Sequence, residues 1–179
     1  MTTLPRSRAL TRSDLETMPD DGHRYELIDG ALLVTPAPVT KHQRAAMRLG
    51  VQLHTSCPPG LEVFAAPFDV VLADDTVLQP DLLVARVSDL HAANLPAPPL
   101  LAIEILSPST RCIDLLLKRA RFEAAGCRSY WVIDPDEPSI TAWELSDGTY
   151  VEAGRARGQE TLTLELPYAV TICPADLVG

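Results

Sequence analysis

The chain has 179 residues, 46% of them hydrophobic and 22% charged, with 16 prolines and a formal net charge of -9. That length fits a single domain, residues 1–179, able to bury about two-thirds of its unfolded surface; the apolar runs fall far short of the ~20 residues of a membrane span, and Met1 to Leu10 has no apolar stretch of the secretory kind, so a cytoplasmic protein is expected. The negative charge weighs against a broad, sequence-independent grip on nucleic acid, and four scattered cysteines, Cys57, Cys112, Cys127 and Cys173, with no CxxC pair, argue for free thiols rather than zinc.

In chain order, Ser13-Asp14-Leu15-Glu16 reads as a helix start, with Ser13 as N-cap and Glu16 at the capping-box position, stopped within two turns by Pro19. Arg24 to Val34 reads as two strands joined at Asp29-Gly30, the strongest short hairpin signal in the chain. Glu26 lies on the first strand, on the face of Ile28, and local alternation alone makes it a surface acid. Thr40 to His54 forms an amphipathic helix, with Thr40 as N-cap and Ala46, Leu49 and Leu53 as its stripe. His42, in the first turn, reads locally as a surface group. Leu61 to Leu72, interrupted by Pro67, gives two strand segments or one bent strand, and Asp74-Asp75 a turn rather than a metal cluster.

Two apolar stretches then each carry one anomalous acid. Asp81 heads the run Leu82 to Ala85, and Glu104 interrupts Leu100 to Leu106, which reads as a central strand covered on both faces. A carboxylate in such a place costs several kcal/mol, roughly, unless a cation or fixed donors compensate it. Next, a helix capped at Ser107, Ser109 or Thr110 runs to Ala125 and stops at Gly126, with Ile113, Leu116, Leu117, Ala120 and Ala124 as its stripe. Lys118 stands one position off that stripe, near Leu115 and Phe122; its head reaches either water or a partner. Cys127 to Pro135 is a strand with a hairpin partner over Ser139 to Leu145, Asp147-Gly148 opens another hairpin, and a weaker strand over Thr161 to Leu166 and a short element near Ala169 to Leu177 finish the chain.

Asp81 and Glu104, at the ends of adjacent strands, are suited to hold magnesium or manganese through oxygen, with Lys118 to stabilise charge or orient an attacking water. Such a site suits phosphodiester hydrolysis. Glu26 is the candidate to complete the shell, and His42 to hydrogen-bond within the site or contact a phosphate; Lys118, Arg119 and Arg121 concentrate basic charge locally.

Arg24-Tyr25-Glu26-Leu27-Ile28-Asp29-Gly30, His42, Gln79-Pro80-Asp81-Leu82-Leu83-Val84, Glu104-Ile105-Leu106-Ser107-Pro108-Ser109-Thr110, Asp114 with Lys118, and Gly126 before Tyr130-Trp131-Val132-Ile133-Asp134-Pro135 resemble, in order and spacing, the Uma-two family of restriction-endonuclease-like proteins within the PD-(D/E)XK nuclease superfamily. The resemblance covers about Ser13 to Leu145. It implies an α/β (α+β) fold, a mixed sheet flanked by helices with extra N- and C-terminal hairpins, magnesium-dependent cleavage of DNA and self-association, most simply as a dimer. Pro80-Asp81 takes the place of the PD half and Glu104 that of the second acid. The superfamily lysine two residues after that acid is replaced here by Leu106, and Lys118, on the following helix, resembles its substitute. Two other classes compete: a catalytically silent binding or assembly module, and a glycoside hydrolase using Asp81 and Glu104 as acid and base, the latter without an aromatic sugar platform.

Overall fold

The computed structural model describes residues 8–108 and 111–179. A single helical turn, α1 (Arg12–Leu15), leads in, capped two residues earlier than Ser13 and Glu16 suggest: the Asp14 carboxylate accepts the Thr11 N–H at 2.8 Å. Strands β1 (Arg24–Ile28) and β2 (Ala31–Thr35) form the expected hairpin. Asp29 and Gly30, at φ +52° and +73°, supply the left-handed pair that a two-residue turn requires. A Cβ on Gly30 would lie 2.5 Å from Ala9 Cβ, while the Leu10 N–H donates to the Gly30 carbonyl. Gly30→Ala is therefore expected to destabilise the protein by about 2 kcal/mol in urea titrations.

Helix α2 (Thr40–Ser56) follows, with Val39, not Thr40, at its N-cap. Its inward row is His42, Ala45, Leu49 and Leu53, and Ala46 sits at the edge of that row. The Pro67 break separates β3 (Leu61–Ala65) from β4 (Asp69–Ala73), and these strands enter different sheets. Strand β5 (Thr76–Leu78) follows the Asp74-Asp75 turn, then β6 (Leu82–Arg86), a short β7 (Asn94–Leu95) and β8 (Leu101–Ile105). After β8 the chain turns into a helix whose N-cap candidates Ser109 and Thr110 lie outside the described residues. Ile113–Lys118 is wound as a π-helix and continues into α3 (Arg119–Ala124), which ends at Gly126, φ +85°. Strands β9 (Ser129–Asp134), β10 (Ser139–Ser146), β11 (Thr149–Arg157), β12 (Leu162–Leu164) and β13 (Val170–Ile172) and helix α4 (Pro174–Val178) complete the chain.

The architecture is mixed α+β. A six-stranded sheet, in the order β11-β10-β9-β8-β6-β3, is antiparallel except where β8 meets β9. A five-stranded sheet, β2-β1-β5-β4-β7, packs beside it, and β12 and β13 form a separate pair. Strand β8 lies inside the larger sheet with all five residues buried, as its apolar run predicts. On one face, Leu101, Ile103 and Ile105 pack with Leu82 and Val84 against Leu49 and Leu53 of α2. On the other, Ala102 and Leu106 join Leu83, Val132 and Phe122 and reach Ile28, Val70 and Leu78 of the second sheet. Glu104 points into this second layer because alternation puts it on the side of Ala102 and Leu106. No helix among the described residues is long and apolar enough to cross a membrane.

The helix after β8 departs from its sequence reading. Leu116 and Leu117 are 61% and 48% exposed, whereas Asp114, Lys118 and Phe122 face inward. The expected stripe of Leu116, Leu117, Ala120 and Ala124 therefore lies outward. Two effects outweigh the leucines: Phe122 anchors the helix against Tyr130, and Asp114 and Lys118 meet charged partners that would be stranded without them. π-Helical turns inside α-helices are frequent at functional sites.

Candidate active site

Strand pairing assembles the two acids. Leu82 pairs with Ile103 across β6 and β8, and continuing that register by one residue sets Asp81 opposite Glu104. Asp81 is held from three sides: Oδ2 accepts the Ile105 N–H at 2.8 Å and the His42 Nε2 hydrogen at 3.0 Å, and Oδ1 accepts from Arg24 at 2.8 Å. An ionised carboxylate only accepts, so this contact places the His42 proton on Nε2. Burial opposes the charge on Asp81, yet His42, Arg24 and the Ile105 amide prevail and lower its pKa to about 2.

Lys118 closes the other half. Its ammonium, 1% exposed, lies 2.9 Å from Glu26 Oε1, 3.2 Å from Glu104 Oε1 and 3.6 Å from Asp114 Oδ1. Burial pulls its pKa down, but Glu104, Glu26 and Asp114 together hold it above the ordinary lysine value. Glu104 goes the opposite way for a carboxyl. Burial raises it well above its usual range, Lys118 only partly opposes this, and Asp114, Asp81 and Glu26 add to the rise. Glu26 is fully buried; Oε1 also accepts the Gln79 N–H at 2.7 Å, and Arg24 Nε stands 3.7 Å from Oε2.

Glu26 is thus no surface acid, nor His42 a surface cap, and the Lys118 head is not in water. The signals that misled are local, while the partners come from strands and helices far along the chain. Local reading also missed Arg24, which bridges Asp81 and Glu26, and Asp114, one turn before Lys118. Their signal was spacing: Arg24 and Glu26 share a strand face, and Asp114 and Lys118 are i,i+4 on one helix.

A cleft of about 740 Å³ opens onto Arg24, His42, Gln79 and Asp81, with Glu26, Glu104 and Lys118 outside its lining. The cluster sets four carboxylates, Glu26, Asp81, Glu104 and Asp114, against two permanent cations, Arg24 and Lys118. Buried Glu26 Oε2 and Glu104 Oε1 make no hydrogen bond besides their ion pairs with Arg24 and Lys118. Hard oxygen donors and a majority of acids fit a divalent cation in chemistry. Among the described residues, however, no three His, Cys, Asp or Glu side chains converge as a metal cage. Asp81 has its oxygens turned to Arg24 and His42 instead.

The two acids thus meet on neighbouring inner strands, Asp81 just ahead of β6 and Glu104 within β8, with Lys118 beside Glu104. The chain superposes with a TM-score of 0.74 on the crystal structure of "a putative nuclease belonging to DUF820" from Anabaena variabilis, at 19% identity over 94% of this chain and 97% of that one. The family model described as Uma2, "Putative restriction endonuclease", matches residues 12–174, and the chain belongs to that family. No curated protein gives a match.

Proposed function

We propose that this protein, as one domain, is a magnesium-dependent endonuclease that hydrolyses phosphodiester bonds in DNA, with Asp81 and Glu104 as metal ligands and Glu26 as an accessory ligand. The observation that carries this reading is Lys118, an ammonium sealed among acids behind a cleft. A structural core gains little from such a group, because its desolvation offsets most of what its ion pairs return. Magnesium there would supply Lewis acidity toward a phosphate oxygen and the attacking water; manganese offers the same chemistry.

The chain's own residues do the rest. Lys118 keeps its charge, aligns Glu26 and Glu104, and adds positive potential where charge develops on phosphate. The Ile105 amide and the His42 Nε2 hydrogen fix the Asp81 carboxylate. A metal held by Asp81 would compete with Arg24 for its carboxylate, and the guanidinium, already lining the cleft, would suit a phosphate oxygen. A dimeric state rests on the family resemblance alone.

The competing reading, a silent binding or assembly module on the same fold, draws on the missing three-donor cage. Calorimetric titration with magnesium, beside cleavage of plasmid DNA, separates the two. Under the nuclease reading the unmodified protein binds the metal and cuts, while Asp81→Asn and Glu104→Gln each lose metal binding and about a hundredfold or more in rate. Cleavage that persists in both variants would remove these carboxylates from the chemistry.

A further inference from the structure

Buried polar atoms without partners are few in a folded protein, and each asks for an explanation. Among the described residues six such side-chain atoms occur, and three of them, Thr35 Oγ1, His42 Nδ1 and Gln79 Oε1, belong to residues lining the cleft beside Asp81. Thr35 and His42 are 9% and 7% exposed. Each has its other contacts settled: His42 donates through Nε2 to Asp81, and Gln79 donates through Nε2 to Asp69 at 2.7 Å. Behind the cleft wall this leaves two acceptors, His42 Nδ1 and Gln79 Oε1, and one hydroxyl, each closed to solvent in this structure.

From this set we infer that the cleft is a subsite for one unpaired nucleotide next to the phosphate that is cut, and that the substrate class is single-stranded nucleic acid. This rests on the nuclease reading above. Acceptors want N–H and O–H donors, which an unpaired base presents on its pairing edge and a base within a duplex has already committed to its partner. The cleft volume, about 740 Å³, falls within the range that encloses a small organic ligand. Met18, Pro36, Pro38 and Pro67 give it apolar wall, and His23 and Tyr25 bring ring surface for a base face. Arg24 is the guanidinium at hand for the phosphate.

The rest of the surface argues the same way. A duplex is gripped by many phosphate contacts from free lysines and arginines. Here Arg8, Lys41, Arg86, Arg111, Arg121 and Arg155 each stand in an ion pair with an acid. At -9, with these six so engaged, the surface favours recognition of a few phosphates over a long track of them, Arg44, Arg48, Arg119, Arg128 and Arg157 being the arginines outside ion pairs among the described residues.

The test is fluorescence anisotropy with the full chain in calcium, using a labelled single-stranded DNA of about 12 nucleotides, the same sequence as RNA, and its DNA duplex. The single strands are expected to bind about tenfold or more tighter than the duplex, with log K falling against log salt at a slope near -1, roughly one or two phosphates. Thr35→Val and Gln79→Met should each weaken single-strand binding by about five- to tenfold, the loss of one hydrogen bond. The DNA and RNA arms show which strand the subsite prefers, and binding of either supports it. A tighter duplex, a slope steeper than about -4, or no binding of any strand overturns the inference, as do two folded variants with unchanged affinity. If one variant fails to fold, the other and the strand comparison still decide. Magnesium-dependent cutting confined to duplex overturns the subsite and leaves the nuclease; single-strand binding without cutting in any metal does the reverse.

Discussion

Lys118→Met is expected to lower stability by about 3–5 kcal/mol, because it removes the cation from a fully buried cluster and leaves Glu26, Glu104 and Asp114 facing one another. For a chain of this size that corresponds to a melting temperature lower by roughly 10 °C. A surface lysine would cost almost nothing, so thermal unfolding at neutral pH discriminates sharply. The sign of the pH dependence is also fixed. A lysine whose pKa is raised on folding contributes stability that is complete below the unfolded value of about 10.4 and is lost as pH rises through the folded value. The deficit of the variant should shrink in acid as the three carboxylates take up protons. Under the nuclease reading, cleavage measured well below the variant's melting temperature should be lost as well. A variant that melts with the parent would show that the ammonium is not sealed in the cluster.

Glu104→Gln should behave oppositely in stability, and under the nuclease reading it also loses activity. Burial, reinforced by Asp114, Asp81 and Glu26, raises the pKa of Glu104 well above its model-peptide range, so the folded protein holds this proton more tightly than the unfolded chain. Stability from such a group is present below the unfolded pKa, about 4.3, and drains away as pH rises toward the folded value. A single proton limits the slope to about 1.4 kcal/mol per pH unit. Glutamine resembles the protonated form and escapes this loss. In metal-free buffer the variant should therefore match the parent near pH 4 and become progressively more stable than it above that point. Asp81 runs the other way: its pKa of about 2 adds stability above the unfolded value of about 3.9, and that contribution vanishes as pH falls through 2. Denaturant titrations across pH separate the two carboxylates. Parallel curves for parent and Glu104→Gln would show that nothing disfavours the Glu104 charge.

What the sequence made legible was whatever a short window controls. Asp29-Gly30 and Asp147-Gly148 mark their hairpins because few residues tolerate the left-handed backbone found at all four positions. The acid inside Leu100 to Leu106 stands out because an unbroken apolar strand has no solvent face on which to put it. Glu26 and His42 resisted for the complementary reason. Their strand and helix patterns are ordinary, and only the meeting of β1, α2 and β6 reveals that both are enclosed. The helix of Lys118 was legible as a helix but not in its orientation. Hydrophobic periodicity assumes that leucines choose the buried side, and here a carboxylate cluster and Phe122 chose it.

That orientation also shapes the exterior. The turn that points Lys118 inward leaves Leu116 and Leu117 side by side in water, so the segment that seats the buried ammonium is also among the stickiest parts of the exterior. Colloidal behaviour and chemistry are therefore tied to one stretch of backbone: making those leucines polar would ease crowding at high concentration, whereas rotating the helix to hide them would expel the ammonium.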